Sequence, residues 1–284
     1  MTGPARVAVV TDSTAYLPDG LAAQWDVGVV PLHVVLGRRT GIEGVQVQPD
    51  EVARALSERR VEVRTSRPTP AELARTYRCS GARHVVSVHL SGALSGTVEA
   101  AVLAAREVAE EGIDVRVVDS RTIAMGLGFA VLAAAELARQ GAAPEQVERR
   151  ARTVADRTGL LFYVDTLEHL RRGGRIGAAA ALLGAALAVK PLLHVVDGGI
   201  APREKVRTAT RALARMQDLA VELADDDTVD VAVHHLAAPE RAAQLAQGLR
   251  DRVPGLRTLH VSEVGAVVGA HVGPGLLGVV VSRR

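Results

Sequence analysis

The sequence is poor in the residues that define several specialised protein classes. Cys79 is the only cysteine, so no internal disulfide can form and nothing indicates an oxidising compartment. Aromatic residues make up 2% of the chain, too few for the stacking surfaces that bind single-stranded nucleic acid. Lys190 and Lys205 are the only lysines, and 34 basic residues against 32 acidic ones give a net charge of +2. This balance argues against a nucleic-acid partner.

We expect no targeting signal, and no uninterrupted apolar run is long enough to span a membrane. Residues 1–6 lead directly into a strand-like segment without a signal-peptide pattern. The apolar run 176–189 is shorter than the ~20 residues that a bilayer core requires. The run 264–281 is long enough, but His271 and a Gly-Pro-Gly turn interrupt it. We expect both runs to be buried in a cytoplasmic protein that is not integral to the membrane.

The length and the segment pattern predict an α/β protein with two lobes. A chain of 284 residues that is 48% hydrophobic exceeds what one core usually takes. Strand-like and helix-like segments alternate along the first half, which is typical of parallel βαβ units. We place the lobes at 1–158 and 159–284, with mainly parallel βαβ units in the first. The second half is less regular, and its Asp-Gly-Gly turn at 197–199 predicts a hairpin.

Individual segments carry more specific predictions. The segment 29–36 reads as one strand, and 178–188 as a wholly apolar helix that is buried all round. Thr69-Pro70-Ala71-Glu72 has the pattern of a capped helix start. Further strands are predicted at 7–11, 84–89, 115–118, 160–164, 229–234, 256–261 and 278–282, and further helices at 49–58, 98–110, 127–139, 144–157, 166–172, 207–223 and 239–250.

The familiar catalytic motifs are missing. There is no phosphate-binding Gly-x-x-x-x-Gly-Lys loop, and no Gly-x-Ser-x-Gly pattern surrounds Ser91 or Ser95. His234 and His235 are adjacent and would point to opposite faces of a strand, so they cannot share a metal ion. We therefore predict no catalytic residue, no metal and no cofactor.

Small polar turns that follow predicted strands are the best candidates for a binding site, because parallel sheets bind ligands beyond the carboxyl ends of their strands. The loop 91–97 is the most informative of them, since it opens a helix that has no capping box and could offer its N–H groups to an anion. An ordinary N-cap turn explains the same loop. The four turns are Thr11-Asp12-Ser13, Thr65-Ser66-Arg67-Pro68, Ser91–Thr97 and Asp119-Ser120.

Two turns in the second half carry charged or titratable groups. His271 precedes Gly273-Pro274-Gly275, and a histidine held at such a turn can donate to a carboxylate or neutralise it. Arg175 lies between glycines, where it is either a solvated charge or an arginine aimed at an anion or an acidic partner. Arg171 and Arg172 fit solvated surface charges better.

Taken in order, these motifs resemble those of the DegV family. The resemblance covers residues 7–281 and rests on seven motifs whose order is more specific than any one of them. They are Thr11-Asp12-Ser13, Thr65-Ser66-Arg67-Pro68, Leu94-Ser95-Gly96-Thr97, Asp119-Ser120 with Gly126-Leu127-Gly128, the run Leu167–Gly177, Lys190-Pro191-Leu192-Leu193 and His271-Val272-Gly273-Pro274-Gly275.

The resemblance implies a protein that binds a long-chain fatty acid in an apolar cavity between two α/β lobes. It implies that hydroxyls and a histidine hold the carboxylate, which here means Thr65, Ser66, Ser95 and His271. Arg175 matches an arginine placed near the head group or a partner. The same resemblance implies that a partner ATP-dependent fatty acid kinase converts the bound lipid to acyl phosphate. The chain itself would then be a lipid-binding subunit and not an enzyme.

This sequence departs from the family pattern at positions near the implied site. Arg67 stands where glutamine is usual, which bears on the charge at the cavity mouth, and Gly92 replaces a common serine. Burial of about 14 methylenes at about 0.8 kcal/mol each offers roughly 11 kcal/mol, of which association costs several. Lipid binding is therefore energetically reasonable.

Two other functions stay open from the sequence alone. A serine hydrolase could use Ser95 and His271 with Asp12 or Asp119, although the missing nucleophile motif argues against it. A regulatory module could instead bind partners through its arginine cluster, in which case binding should weaken strongly with salt.

Overall fold

The computed structural model describes residues 6–58, 61–182, 190–206 and 208–284. The chain forms two compact units, Met1–His33 with Ser66–Asp156, and Val34–Thr65 with Arg157–Arg284. Both units contain helices and strands, and the first is built around a parallel sheet, so the α/β prediction is confirmed. The division differs from 158/159 because the segment 34–65 leaves the first unit and belongs to the second.

The strands and helices are numbered here in chain order. The strands are β1 (Val7–Asp12), β2 (Val27–Val30), β3 (His33–Leu36), β4 (Arg39–Ile42), β5 (Val63–Ser66), β6 (His84–His89), β7 (Asp114–Asp119), β8 (Thr158–Tyr163), β9 (Lys190–Val196), β10 (Gly199–Val206), β11 (Val229–His235), β12 (Leu256–Glu263) and β13 (Leu277–Arg283). The helices are α1 (Leu21–Gln24), α2 (Pro49–Glu58), α3 (Pro70–Cys79), α4 (Thr97–Ala109), α5 (Met125–Arg139), α6 (Pro144–Asp156), α7 (Glu168–Arg172), α8 (Ala209–Ala224), α9 (Pro239–Arg252) and α10 (Ala266–Val272), with 3₁₀ helices at Ser13–Ala15 and Gly177–Leu182.

The first unit is a parallel sheet in the order β2-β1-β6-β7 with helices on both faces. Alternate residues of β1 serve opposite faces, as the twofold period of a strand requires. Val7 and Val9 pack with α5 and α6, whereas Ala8 and Val10 pack with α3 and α4. The carboxyl ends of these strands therefore meet at one edge of the sheet.

The second unit has a six-stranded sheet in the order β10-β9-β8-β13-β11-β12. β11 and β12 run parallel, and the other neighbouring pairs are antiparallel. Helices α8 and α9 cover one face through a core that includes Met216, Leu219 and Leu245. The predicted hairpin is present as β9 and β10, which turn at Asp197-Gly198.

The segment 34–65 belongs to the second unit because its side chains hold helix α10. The buried Glu43 accepts a hydrogen bond from the Val267 backbone N–H at 2.7 Å, which satisfies one unpaired donor at the start of the helix. Val52 of α2 approaches Gly269 in the middle of α10. Strands β4, β3 and β5 form a separate three-stranded sheet, so the segment was wrongly read as part of the parallel βαβ series.

Several local predictions were wrong. The segment 29–36 is two strands, because Pro31-Leu32 separates β2 from β3. Residues 177–182 form a 3₁₀ helix in which Ala179 alone is buried, not a fully buried α-helix. The rest of the predicted helix, 183–188, lies outside the described residues. His271 lies within a helix that the sequence analysis did not predict. Across the described ranges, no helix is long and apolar enough to cross a membrane.

Candidate functional site

Helix α10 and the turn after it position His271. The helix ends because Gly273 adopts a φ of +76°, a left-handed backbone that side chains with a Cβ rarely accept. His271 is the last residue but one of the helix, so its side chain extends back along the last turn. The helix, and not the glycine-rich turn as expected, therefore sets the direction of the imidazole.

The imidazole of His271 forms a hydrogen bond with Thr65 of strand β5. His271 Nε2 lies 2.9 Å from Thr65 Oγ1, across 206 positions of sequence. Nδ1 is buried and has no hydrogen-bond partner in the part of the chain that the structure describes. Two of the four residues predicted for the carboxylate are thus brought together within the second unit.

The electrostatic surroundings keep His271 uncharged at neutral pH. Burial, assisted by the positive charge of Arg175, lowers the pKa of His271 to about 4. At pH 7 the ring is neutral and carries one N–H donor and one acceptor nitrogen. It can donate to a carboxylate, but in the free protein it does not supply a neutralising charge, as the sequence analysis had allowed.

Arg175 follows helix α7 and is exposed, as its glycine-flanked position indicates. Its Nη1 donates to the Gly173 carbonyl at 2.7 Å, which places the guanidinium over the carboxyl end of the helix. Arg171 and Arg172 are also exposed and pair with Glu168 in the same helix. Arg175 is therefore the arginine of this segment whose charge bears on His271.

Ser95 and Ser66 lie in the first unit. Ser95 is half-buried, and its Oγ lies 2.9 Å from Thr97 Oγ1. Gly96 occupies the N-cap of α4, and no side chain caps the helix there, in agreement with the missing capping box. Ser66 ends β5 and is exposed.

Arg67, which stands where the family pattern has glutamine, is engaged at the start of helix α4. Its Nη1 donates to the Gly96 carbonyl at 3.1 Å and pairs with Glu99 at 2.9 Å. The positive charge is thus balanced within the first unit by a carboxylate of the same helix.

The remaining polar turns of the first unit use their polar groups internally. Ser13 Oγ accepts from the Leu32 N–H, and Asp119 accepts from the Gly92 and Arg121 N–H groups. Ser120 Oγ donates to the Thr122 carbonyl. The turns at Ser13 and at Asp119-Ser120 were predicted to form part of one polar end of a site. Their hydrogen bonds instead stabilise the loops of the first unit.

A buried hydrogen-bonded chain that the sequence analysis missed begins at Asp12. Its two carboxylate oxygens accept from the Thr14 N–H and hydroxyl, the Leu90 N–H and His89 Nδ1, at 2.6–3.1 Å. His89 Nε2 then lies 2.7 Å from Ser87 Oγ, which lies 2.9 Å from the Tyr77 hydroxyl. The side chains of Asp12 and His89 are fully buried, so this Asp-His-Ser arrangement has no access to substrate.

These hydrogen bonds exclude the Asp12 carboxylate from the hydrolase alternative. Asp12 already has four donors, which fills the acceptor positions of an ionised carboxylate. The pairing was not visible in the sequence, because it depends on β1 lying beside β6, with Thr11 opposite Val88. The spacing of Ser87 and His89 on one strand face was the one signal available.

No group of three His, Cys, Asp or Glu side chains with metal-ligand geometry occurs among residues 6–58, 61–182, 190–206 and 208–284. His234 instead bonds Ser262 through Nδ1 at 3.1 Å, and burial lowers its pKa to about 4.

A two-unit α/β protein with a half-buried histidine-threonine pair on one unit and hydroxyl-bearing turns on the other can be compared with known proteins. The model of the DegV family, described as an uncharacterised protein family, matches residues 6–284. A DegV domain-containing protein of Streptomyces coelicolor is 58% identical over 282 residues, which cover 98% of this chain and 99% of that protein. This chain belongs to the DegV family.

Solved structures of the family share the same fold. A DegV family protein from Thermus thermophilus, described by its fatty acid binding, matches with a TM-score of 0.92 and 34% identity, over 98% of this chain and 100% of that one. DegV from Bacillus subtilis, described as a fatty acid binding protein, matches with a TM-score of 0.90 and 34% identity, over 99% and 100% of the two chains.

Proposed function

We propose that this chain binds a long-chain fatty acid and holds its carboxylate through Thr65 and His271. The observation that carries the proposal is the 2.9 Å bond between Thr65 Oγ1 and a half-buried, neutral His271. A hydroxyl and an imidazole N–H are suitable donors to a carboxylate, which must find such partners when it is buried. The fatty acid binding described for the Thermus and Bacillus proteins supports the same ligand class.

Ser66 and Ser95 complete the proposed set of carboxylate ligands. Ser95 precedes a helix without a side-chain cap, so ligand oxygens could accept from its hydroxyl and from the first N–H groups of α4. Ser66 is adjacent to Thr65 and is exposed, so its hydroxyl is accessible to a ligand. Their contribution stays a prediction for mutagenesis.

The proposed role is non-catalytic. The chain would present its fatty acid to an ATP-dependent kinase, and the exposed Arg175 would contact an acidic or phosphate group during transfer. The hydrolase alternative is weaker, since Asp12 and Asp119 are both engaged in bonds within the first unit. Incubation with chromogenic esters checks this point, because a carrier releases no burst of product.

The direct test is mass spectrometry of lipid extracted from the purified protein, followed by titration with cis-parinaric acid. We expect a long-chain fatty acid in the extract at close to one per chain after reloading. Ser95→Ala should weaken binding by about 1–3 kcal/mol, the cost of leaving a buried polar group unsatisfied. An extract without fatty acid, together with no binding in the titration, would contradict the proposal.

A further inference from the structure

Helix α7 carries His169 and helix α10 carries His271, and each helix finishes at a glycine. Each of these glycines lies against the histidine of the other helix. A Cβ added at Gly173, which ends α7, would lie 2.2 Å from His271 Nδ1. A Cβ added at Gly273, which ends α10, would lie 2.2 Å from His169 Cδ2. The imidazole of each helix therefore packs against the glycine that ends the other helix.

The backbone does not require glycine at position 173. Gly173 has φ −72° and ψ −12°, an ordinary right-handed conformation that alanine adopts readily. Its neighbour Gly174 is the opposite case, because its φ is +69° and an added Cβ would meet nothing within 4 Å. The backbone conformation of the turn thus requires glycine at position 174. At position 173 glycine is required because His271 occupies the space of a side chain.

We propose that Gly173 is a positioning residue for His271, which it holds against Thr65. The ring lies between two contacts, with Nδ1 at Gly173 and Nε2 2.9 Å from Thr65 Oγ1. The Gly173 backbone is itself fixed, since its N–H donates to the His169 carbonyl at 2.9 Å and its carbonyl accepts from Arg175 at 2.7 Å. A methyl group at position 173 must therefore displace the ring, by about 1 Å to reach an ordinary contact distance.

The consequence for ligand binding rests on the proposed function, in which the bonded pair of Thr65 and His271 holds the fatty acid carboxylate. Displacement of the ring breaks the bond to Thr65, so the Thr65 hydroxyl loses the partner that orients it towards the position that the carboxylate would occupy. The direct consequence for the imidazole does not depend on any ligand. The two effects can therefore be measured separately.

The first measurement is NMR of the histidine imidazoles in the full-length protein without lipid, comparing Gly173→Ala with Gly174→Ala. Both variants add one methyl group to the same turn, but only the first adds it against His271. We expect Gly173→Ala to shift the His271 ring resonances and to raise its pKa from about 4, because the displaced ring gains solvent. Gly174→Ala should lose thermal stability through its strained backbone and leave the His271 resonances unchanged. Unchanged His271 resonances in Gly173→Ala would overturn the proposal.

The second measurement is cis-parinaric acid titration of Gly173→Ala in two backgrounds. We expect a roughly 2- to 10-fold loss of affinity with His271 present, as for one lost hydrogen bond, and no further loss in the His271→Ala background. An equal loss in both backgrounds would show that Gly173 does not act through His271. If the wild-type protein binds no fatty acid, the proposed function fails while the NMR comparison still decides the role of Gly173. If Gly173→Ala does not fold, recovery of folding in Gly173→Ala/His271→Ala supports the proposal, and failure to recover overturns it.

Discussion

At the scale of single residues, the chemistry of this chain concentrates on a few side chains whose surroundings differ from what their sequence context indicates. His271 is followed by a glycine-rich turn, yet the neutral state of its ring follows from burial and from Arg175. The sequence did not distinguish Thr65 from the neighbouring Ser66 as a ligand of the carboxylate. The hydrogen bond to His271 does distinguish it. The proposed carboxylate site therefore depends most on these two side chains.

Thr65→Val tests the hydroxyl with almost no change of volume. We expect fatty acid affinity to fall by about 1–3 kcal/mol, because His271 loses its partner and the carboxylate loses a donor. Thr40→Val, at an exposed position of β4 in the same three-stranded sheet, is the matched control and should bind normally. Isothermal titration or cis-parinaric acid fluorescence measures both variants. Equal affinities of the two would remove Thr65 from the site.

Arg175→Ala separates binding from transfer. The guanidinium is exposed and bonds a backbone carbonyl, so we expect lipid affinity to change little while acyl-phosphate formation by a cognate kinase falls. His271→Ala should reduce both. Arg172→Ala is the control, since Arg172 is an exposed arginine of the same segment that pairs with Glu168. A coupled assay with kinase, ATP and lipid-loaded protein, run beside direct binding, measures the two steps. Lost lipid binding with normal transfer per bound lipid would make Arg175 a head-group ligand instead.

At the scale of elements, the buried chain from Asp12 to Tyr77 joins β1, β6 and α3. Asp12 ends β1 and bonds both Thr14 and Leu90, so one carboxylate sets the loops that leave two neighbouring strands. The Leu90 bond precedes the turn in which the Ser91 carbonyl accepts from the Ser95 N–H at 3.1 Å. The geometry around Ser95 is therefore tied to side chains that never reach the surface.

The side chains that form the buried hydrogen bonds from Asp12 to Tyr77 should differ in their contribution to the free energy of unfolding. His89→Leu leaves a buried carboxylate short of a donor, for which we expect a loss of about 3 kcal/mol in the free energy of unfolding. Tyr77→Phe removes only the hydroxyl at the far end and should cost about 1 kcal/mol. Urea unfolding midpoints at pH 7.5 give the comparison. Similar losses for the two variants would mean that the bond from His89 to Asp12 has no special weight.

At the scale of the whole molecule, histidines that are neutral in the folded protein make stability depend on pH. Burial lowers the pKa of both His234 and His271 to about 4, from an ordinary value of 6.5. Below pH 6.5 these two histidines therefore bind protons in the unfolded chain but stay unprotonated in the folded chain. The free energy of unfolding must then decrease as the pH falls from about 6.5 towards 4.

Each of these histidines should contribute a slope of up to about 1.4 kcal/mol per pH unit within that window. Burial lowers the pKa of His235 and His260 as well, so they act in the same direction. Urea unfolding at pH 7.5, 6.0 and 5.0 measures the slope, and His234→Gln should reduce it even if it lowers stability at pH 7.5. Stability that stays constant or rises between pH 6.5 and 4.5 would contradict the assignment of neutral histidines.

The sequence by itself determined the properties that depend on neighbours along the chain. The period of apolar residues was sufficient for α2 and β6, whose bounds match the prediction, and the capping box at Thr69 forms as its residue types require. These features are local, because strand alternation, helix capping and turn chemistry involve residues a few positions apart. The order of seven short motifs was likewise enough to indicate the DegV family.

Only the tertiary structure decided which distant groups meet. Thr65 reaches His271 across 206 positions, and Asp12 reaches His89 across 77. The segment 34–65 joins the second unit because Glu43 and Thr65 contact helix α10, which no local pattern encodes. In the sequence, Gly173 resembles any glycine that ends a helix. In the structure, the space that a side chain would need at this position is taken by the imidazole of His271, almost one hundred positions later. Such pairings depend on strand order and packing between elements far apart in the chain, for which local hydrophobic patterns carry no information.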